Sequence, residues 1–183
     1  MGNTNTVCNE SRNNAINATA ALISKQVNGY VFFHQCNPSS PVTVQFLIKG
    51  TPNQTHAIHI HEFGDIREGC DFLGSHFNPT GETHGSFLYK NMSRHAGDLI
   101  NNIVFGEDGI FQYQYKDYSI SLYQGPRCIL GRSIVIHENP DDLGLGTGGS
   151  KEESLKTGNA GKRICCSVIG LSKNENWSNK RCS

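Results

Sequence analysis

No stretch of this 183-residue chain is apolar for long enough to cross a bilayer, and its formal net charge is zero. The first absence removes a membrane-spanning helix of about 20 residues. The second removes the electrostatic footprint expected for nucleic acid or an anionic membrane as partner, so electrostatic work must come from local placement of charge. Cys-x-x-Cys is also missing, although there are seven cysteines, at positions 8, 36, 70, 128, 165, 166 and 182. A zinc-finger or thioredoxin motif therefore has no support, and the odd count leaves at least one thiol outside any intramolecular pair. The opening residues, Met-Gly-Asn-Thr-Asn-Thr, lack the apolar run of a secretory signal, so a cytoplasmic protein is expected. A loose N-myristoylation pattern at Gly2 and five sequons, at Asn9, Asn17, Asn53, Asn91 and Asn176, leave lipidation and secretion open.

Short runs of β-branched and aromatic residues fill the space that long helices would occupy. Val42, Val44, Phe46 and Ile48 alternate with polar positions, as do Phe111, Tyr113 and Tyr115, and Ile164, Cys166 and Val168 share a face. Further strand-like runs cover 17–24, 29–36, 95–104, 118–123 and 128–137, with turn signals at Asn28-Gly29 and Asp108-Gly109. Many short strands separated by turns predict an antiparallel sandwich or barrel in a single domain over 16–173. The polar ends, 1–15 and 174–183, are expected to be loosely ordered. Two stretches rich in Gly, Asn and charge, 62–94 and 138–163, interrupt the rhythm, and loops this long are usually functional. Each follows a strand that ends in histidine, His61 or His137.

His59 and His61 lie two apart in Thr-His-Ala-Ile-His-Ile-His-Glu-Phe. On a strand they project from one face while Ile58 and Ile60 point to the other. Two imidazoles side by side on a rigid strand suit a borderline-soft metal; by itself the pair equally describes the wet face of an ordinary strand. The remaining ligand-type residues are His76, His84, His95-x-x-Asp98 and His137, in Val-Ile-His-Glu.

Five motifs occur in order: His-Ile-His-Glu-Phe-Gly-Asp, Gly-Ser-His-Phe-Asn-Pro, Arg-His-Ala-Gly-Asp-Leu, Val-Ile-His-Glu-Asn-Pro-Asp-Asp-Leu-Gly and Lys-Thr-Gly-Asn-Ala-Gly-Lys-Arg. Through them the chain resembles the copper/zinc superoxide dismutases over roughly residues 17–172. The resemblance implies an all-β, eight-stranded Greek-key flattened barrel with a metal-binding and an electrostatic loop, and one copper and one zinc ion per subunit. It implies that copper is held by His59, His61, His76 and His137, zinc by His76, His84, His95 and Asp98, with His76 bridging. Asp141 would link His59 to His84; read alone, it is an Asp in a turn after proline. Arg163 would guide the superoxide anion beside copper, where an unaided reading would offer surface solvation or a salt bridge. His76 would carry a proton during turnover. Lys156, Glu152 and Glu153 match the loop that shapes the field at the channel mouth, or form an ordinary solvated loop. The resemblance also implies a Cys70–Cys166 disulfide, with Cys165 a packed thiol facing the other way.

The resemblance also implies a homodimer through Gly64, Leu130, Val168 and Leu171, although the apolar three equally suit the barrel's own core. A copper chaperone is an expected partner. His56 is read as structural and His34 as an incidental strand residue. Two other functions stay open beside the dismutase, a copper chaperone or storage module and an inactive decoy. The chain has no Cys-x-Cys element and retains Arg163, every ligand and both cysteines, which favours the enzyme.

Overall fold

A computed structural model describes residues 15–89 and 93–173. The expected 1–15 and 174–183 extensions lie outside it, apart from position 15. The chain runs as β1 (Ile16–Ile23), β2 (Asn28–Gln35), β3 (Val42–Lys49), β4 (Thr55–His61), β5 (Asn102–Val104), β6 (Ile110–Asp117), β7 (Ser133–His137), one short helix α1 (Lys151–Thr157), β8 (Arg163–Val168) and β9 (Gly170–Leu171). All named strand pairs are antiparallel, in a five-stranded sheet ordered β6-β3-β2-β1-β9 and a four-stranded sheet ordered β5-β4-β7-β8. Nine strands appear where eight were expected because the final run breaks at Ile169 and changes sheets.

The core lies between the two inner faces. Val31 and Phe33 of β2 and Val44, Phe46 and Ile48 of β3 meet Ile58 and Ile60 of β4 and Ile134 and Ile136 of β7, all essentially without exposure. Period-two patterning places these side chains, and their burial is the main source of stability. The four-stranded sheet departs from simple alternation: His56 through His61 are all buried, and so is every residue of β7. Its outer face is covered by the two long loops, so the histidines on that face leave water without entering the core.

Two expected strands are not strands. Of 95–104 only Asn102–Val104 pairs; Ala96–Asp98 forms a 3-10 turn in which Asp98 Oδ2 accepts the His95 backbone N–H. Residues 118–123 form bends and one isolated bridge, because side chains take over their backbone groups. Asp117 Oδ1 accepts Ser119 N at 2.7 Å and Gln35 Oε1 accepts Leu122 N at 2.7 Å. Such local bonds compete with a strand ladder. His34 pairs across β1–β2 with Asn17 (Nδ1 to Oδ1, 2.8 Å) and is buried, so it has a structural setting that the sequence did not suggest.

Candidate metal centre and anion cavity

Strand β4 delivers His59 and His61 to the outer face, with Val135 and Ser133 of β7 as their cross-strand partners. Alternation from Ser133 and Val135 brings His137 to that face too. Arg163 should not reach it: it shares parity with Cys165, which packs inward at 3% exposure. A β-bulge between Ile136 and His137 changes the register, so that Ile136 opposes Cys165 but His137 opposes Arg163. The extra residue re-aims the guanidinium beside the histidines, a common use of bulges next to functional sites.

His59, His61, His76 and His137 each offer a ring nitrogen, and these atoms lie within 4.8 Å of one another. The other ring nitrogen identifies the free one. His61 Nδ1 sits 2.9 Å from the Gly74 carbonyl and His137 Nδ1 3.1 Å from the Gly161 carbonyl, which leaves their Nε2 atoms facing each other at 3.2 Å. His59 Nε2 is bound to Asp141 at 2.6 Å, and its buried Nδ1 has no hydrogen-bond partner. His76 points Nδ1 at Asp98, and its buried Nε2 is likewise without a partner. Orphaned buried nitrogens are costly, and a cation at their focus satisfies them.

The second cluster is built on one carboxylate oxygen. Asp98 Oδ1 lies 3.0 Å from His76 Nδ1, 3.0 Å from His84 Nδ1 and 3.1 Å from His95 Nδ1, while Oδ2 is occupied by the backbone N–H groups of His95 and Gly85. Zinc bonds of about 2.0–2.1 Å place tetrahedral ligands about 3.3 Å apart, so these separations approximate tetrahedron edges. His59 also falls in a compact group with His76, His84 and Asp98. Its Nε2 is taken by Asp141, so we assign the Asp98 cluster to the three nitrogens that point at Oδ1. His76 alone faces both clusters.

Asp141 joins them. Its Oδ2 accepts from His59 and from Asn101 Nδ2 (3.1 Å), and its Oδ1 accepts from His84 Nε2 (2.9 Å) and Leu143 N (2.6 Å). Gly158, at φ +68°, leaves room for this link: a Cβ there would stand 2.3 Å from Asp141 Oδ1 and 2.6 Å from His84 Nε2. Gly97 does the same for the 3-10 turn, where a Cβ would meet the Ile60 carbonyl at 2.3 Å.

Burial and neighbouring charge give the histidines protonation states that suit a metal centre. Burial, then the neighbouring His76, pushes His59 down to about 3. Burial, despite the hydrogen bond to Gly161, pushes His137 down to about 4. Burial, followed by His76, drives His61 well below its usual value, and burial is also the first cause of the lowered His76. These four are neutral imidazoles, the protonation state that binds metal. His84 goes the other way. Burial opposes its charge, but hydrogen bonds to Asp141 and Asp98 more than offset that, and its pKa rises to about 9. Two buried carboxylates on one imidazole ask for a positive charge, which a proton supplies when no metal ion is bound. The donor sets therefore fit copper on four imidazoles and zinc on three imidazoles and a carboxylate.

Arg163 borders this centre. Its Nη1 donates to the carbonyls of Cys70 (2.6 Å) and Asp71 (3.2 Å), and its Nη2 donates to that of Gly74. The Cys70–Cys166 disulfide fastens the same loop to β8. Burial lowers the Arg163 pKa, with Asp71 acting against that, and the guanidinium stays charged. A cavity of about 730 Å³ opens over His61, His76, His137 and Arg163 and is rimmed by Glu82, Glu153 and Lys156. Lys156 pairs with Glu152 across one turn of α1 at 2.7 Å, and Glu152 is outside the cavity lining.

Among the other expected positions, Gly64 packs on Gly131 and Val168, Leu130 is half-buried, and Leu171 is 73% exposed. Cys165 is a buried free thiol, and His56 Nδ1 lies 2.9 Å from the His137 carbonyl. Sequence reasoning missed the carbonyl anchors Gly74 and Gly161 and the partners Asn101 and Asn102. Backbone acceptors leave no mark in residue types. The two asparagines fall inside the 95–104 run, which reads as strand.

Comparison with known proteins agrees with this geometry. The family model for copper/zinc superoxide dismutase matches residues 27–169. A Saccharomyces cerevisiae superoxide dismutase [Cu-Zn] is 48% identical over 146 residues, covering 79% of this chain and 90% of its own. Two Onchocerca volvulus proteins are similar: a superoxide dismutase [Cu-Zn], 44% identical over 85% of this chain and 96% of its own, and an extracellular superoxide dismutase [Cu-Zn], 43% identical over 79% and 70%. The crystal structure of the clock protein EA4 superposes with a TM-score of 0.75 at 41% identity, covering 85% of this chain and 94% of that one. With paired histidine clusters, an imidazole that faces both and these relatives, the chain belongs to the copper/zinc superoxide dismutase family.

Proposed function

We propose that this superoxide dismutase holds copper on His59 Nδ1 and on Nε2 of His61, His76 and His137, and zinc on Nδ1 of His76, His84 and His95 with Asp98 Oδ1. The observation that carries the assignment is the pair of partnerless buried nitrogens, His59 Nδ1 and His76 Nε2, aimed into one cluster while the opposite nitrogens of the same rings are committed elsewhere. Copper there supplies the one-electron steps that turn two superoxide anions and two protons into dioxygen and hydrogen peroxide, and zinc supplies a fixed positive charge.

The chain's own residues do the rest. Arg163 binds the anion: it is the one cation in the cavity wall held against β7, and three carbonyls set its direction. When it is not on copper, His76 Nε2 could hold a proton while its Nδ1 stays fixed toward Asp98, so this ring could supply a proton at the cavity floor. Asp141 keeps His59 and His84 in the tautomer whose metal-facing nitrogen is free. Lys156 and Glu153 set the field at the rim, and the Lys156–Glu152 pair makes that rim a local dipole. Measuring dismutation by protein loaded with one copper and one zinc tests the assignment. A rate near the diffusional ceiling that falls as salt is raised is expected, and full metal content without turnover would refute it.

Two exposed apolar residues, Leu171 and Ile66, and the Gly64–Val168 contact support a homodimer. A monomer mass in sedimentation would refute it. Copper delivery by a chaperone suits a site whose loop is closed by Cys70–Cys166, since the bridge fastens the carbonyls that hold Arg163 beside the buried histidines. Full copper loading in cells without a chaperone would refute that. We retain a cytoplasmic location, tested by fractionation against an extracellular one like that named for the nematode relative.

A further inference from the structure

Ten residues separate the zinc-type ligands His84 and His95, and both ends of that stretch are fastened to the same strand, β6, which contributes no metal ligand. Three residues past His84, the Phe87 ring stacks on Tyr115 with centroids 5.5 Å apart and planes 16° from parallel. Immediately before His95, Arg94 Nη2 donates to both oxygens of Asp117, at 2.9 and 3.0 Å, and to Ser119 Oγ at 3.1 Å. Its Nη1 donates to the His95 carbonyl at 3.2 Å. The two attachments are joined, because the Tyr115 hydroxyl donates to Asp117 Oδ2 at 3.1 Å. The Asp117 side chain is fully buried and that of Arg94 is 13% exposed, so the pair is screened from water and salt far more than a surface bridge.

The consequence lies in the zinc cluster. His84 and His95 must each bring Nδ1 to within about 3 Å of one oxygen of Asp98. The Gly85 N–H bond to Asp98 Oδ2 limits the connection only at its His84 end, and freedom left between the two histidines must be removed when the ion binds. Tyr115 and Asp117, two apart on one face of a strand, provide a rigid ruler between the two ends.

We propose that Phe87–Tyr115–Asp117–Arg94 is a clamp that positions the zinc ligands, so that β6 sets the His84–His95 geometry before the metal arrives. The proposal rests on the assignment of zinc to the Asp98 cluster. These four are positioning residues, and none touches metal or substrate.

The test measures zinc release from the copper- and zinc-loaded full chain to a chromogenic chelator, alongside the denaturant stability of the metal-free protein. Phe87→Ala and Tyr115→Phe are both mild enough to fold, and each should speed zinc release about 3- to 10-fold with copper content unchanged. Outer-shell changes of this kind typically cost 10- to 100-fold in metal affinity when they touch a ligand directly. The double variant should fall short of the product of the single effects, because the two contacts are links of one chain. Asp117→Asn should exceed either single change. Val31→Ala, a core change in β2 away from the loop, is the control for general destabilisation.

Zinc release at the wild-type rate in the clamp variants would overturn the clamp alone. So would an equal acceleration in Val31→Ala at matched loss of stability. A wild-type protein that takes up no zinc would overturn the metal assignment, and the clamp with it.

Discussion

Replacing Asp141 with asparagine should cost the protein its zinc while leaving copper bound. The carboxylate accepts four hydrogen bonds, two of them from the Nε2 atoms of His59 and His84. An asparagine has one oxygen and one NH2, so it can face only one imidazole as acceptor. The other imidazole then meets a donor and must turn a lone pair toward it, which moves its proton to Nδ1, the atom that should face the metal. Each such loss of an outer partner is worth about 10- to 100-fold in affinity, or about 1.4–2.7 kcal/mol. The two sites do not share the loss equally. Copper keeps His61 and His137, whose orientations are set independently by the Gly74 and Gly161 carbonyls. His84 has no outer partner except Asp141, and divalent copper outranks zinc on imidazole ligands in any case. Equilibrium dialysis against a graded zinc chelator, with copper counted in parallel, reads the split directly. Loss of copper with zinc retained, or no change in either, would refute the reading of Asp141 as the link between the clusters.

Three further outcomes follow from the same geometry. Arg163→Ala should leave metal content intact and lower activity sharply, and the remaining rate should lose most of its dependence on salt; unchanged activity would remove Arg163 from the substrate path. Cys166→Ser opens a loop spanning 96 positions, for which chain entropy alone predicts about 4–5 kcal/mol of lost stability, measurable by denaturant unfolding of the metal-free protein; a loss under about 1 kcal/mol would mean that the unfolded chain is not constrained by the bridge. The metal-free protein should weaken on acidification. His59 at about 3 and His137 at about 4 lie below the ~6.5 of an unfolded histidine, so between pH ~6.5 and ~4 these two alone let the unfolded state bind up to two more protons, and the lowered His61 and His76 act in the same direction. From the first two, stability falls by up to about 2.7 kcal/mol per pH unit as the pH drops. His84, raised to about 9, acts oppositely: its contribution is complete below ~6.5 and is lost as the pH rises through 9. Stability that increased between pH 7 and pH 5.5 would contradict this balance.

The barrel was legible in the chain through side-chain period, whereas the candidate metal ligands were named through the motifs that carry the family resemblance. Ile58 and Ile60 alternating with His59 and His61 state which face is core and which carries chemistry, and the structure keeps that division. Arg163 shows where the period fails. Its parity with Cys165 puts it on the wrong face, and only the bulge opposite His137, a backbone event with no signature in residue types, returns it to the site. Similarly, 95–104 reads as one strand by composition. The Asp98 carboxylate instead takes the His95 N–H, and a 3-10 turn forms where a ladder would have begun. β6 has the most consequence for how such a site is built. Phe111, Tyr113 and Tyr115 alternate as a core strand should, and Phe111 and Tyr115 pack on the core, yet β6 is the edge of its sheet. An edge strand has no neighbouring strand on one side, and in this chain Phe87 of the metal loop lies on Tyr115. Edge position in the fold, which no local pattern encodes, is thus what turns an ordinary core residue into an anchor for the zinc loop.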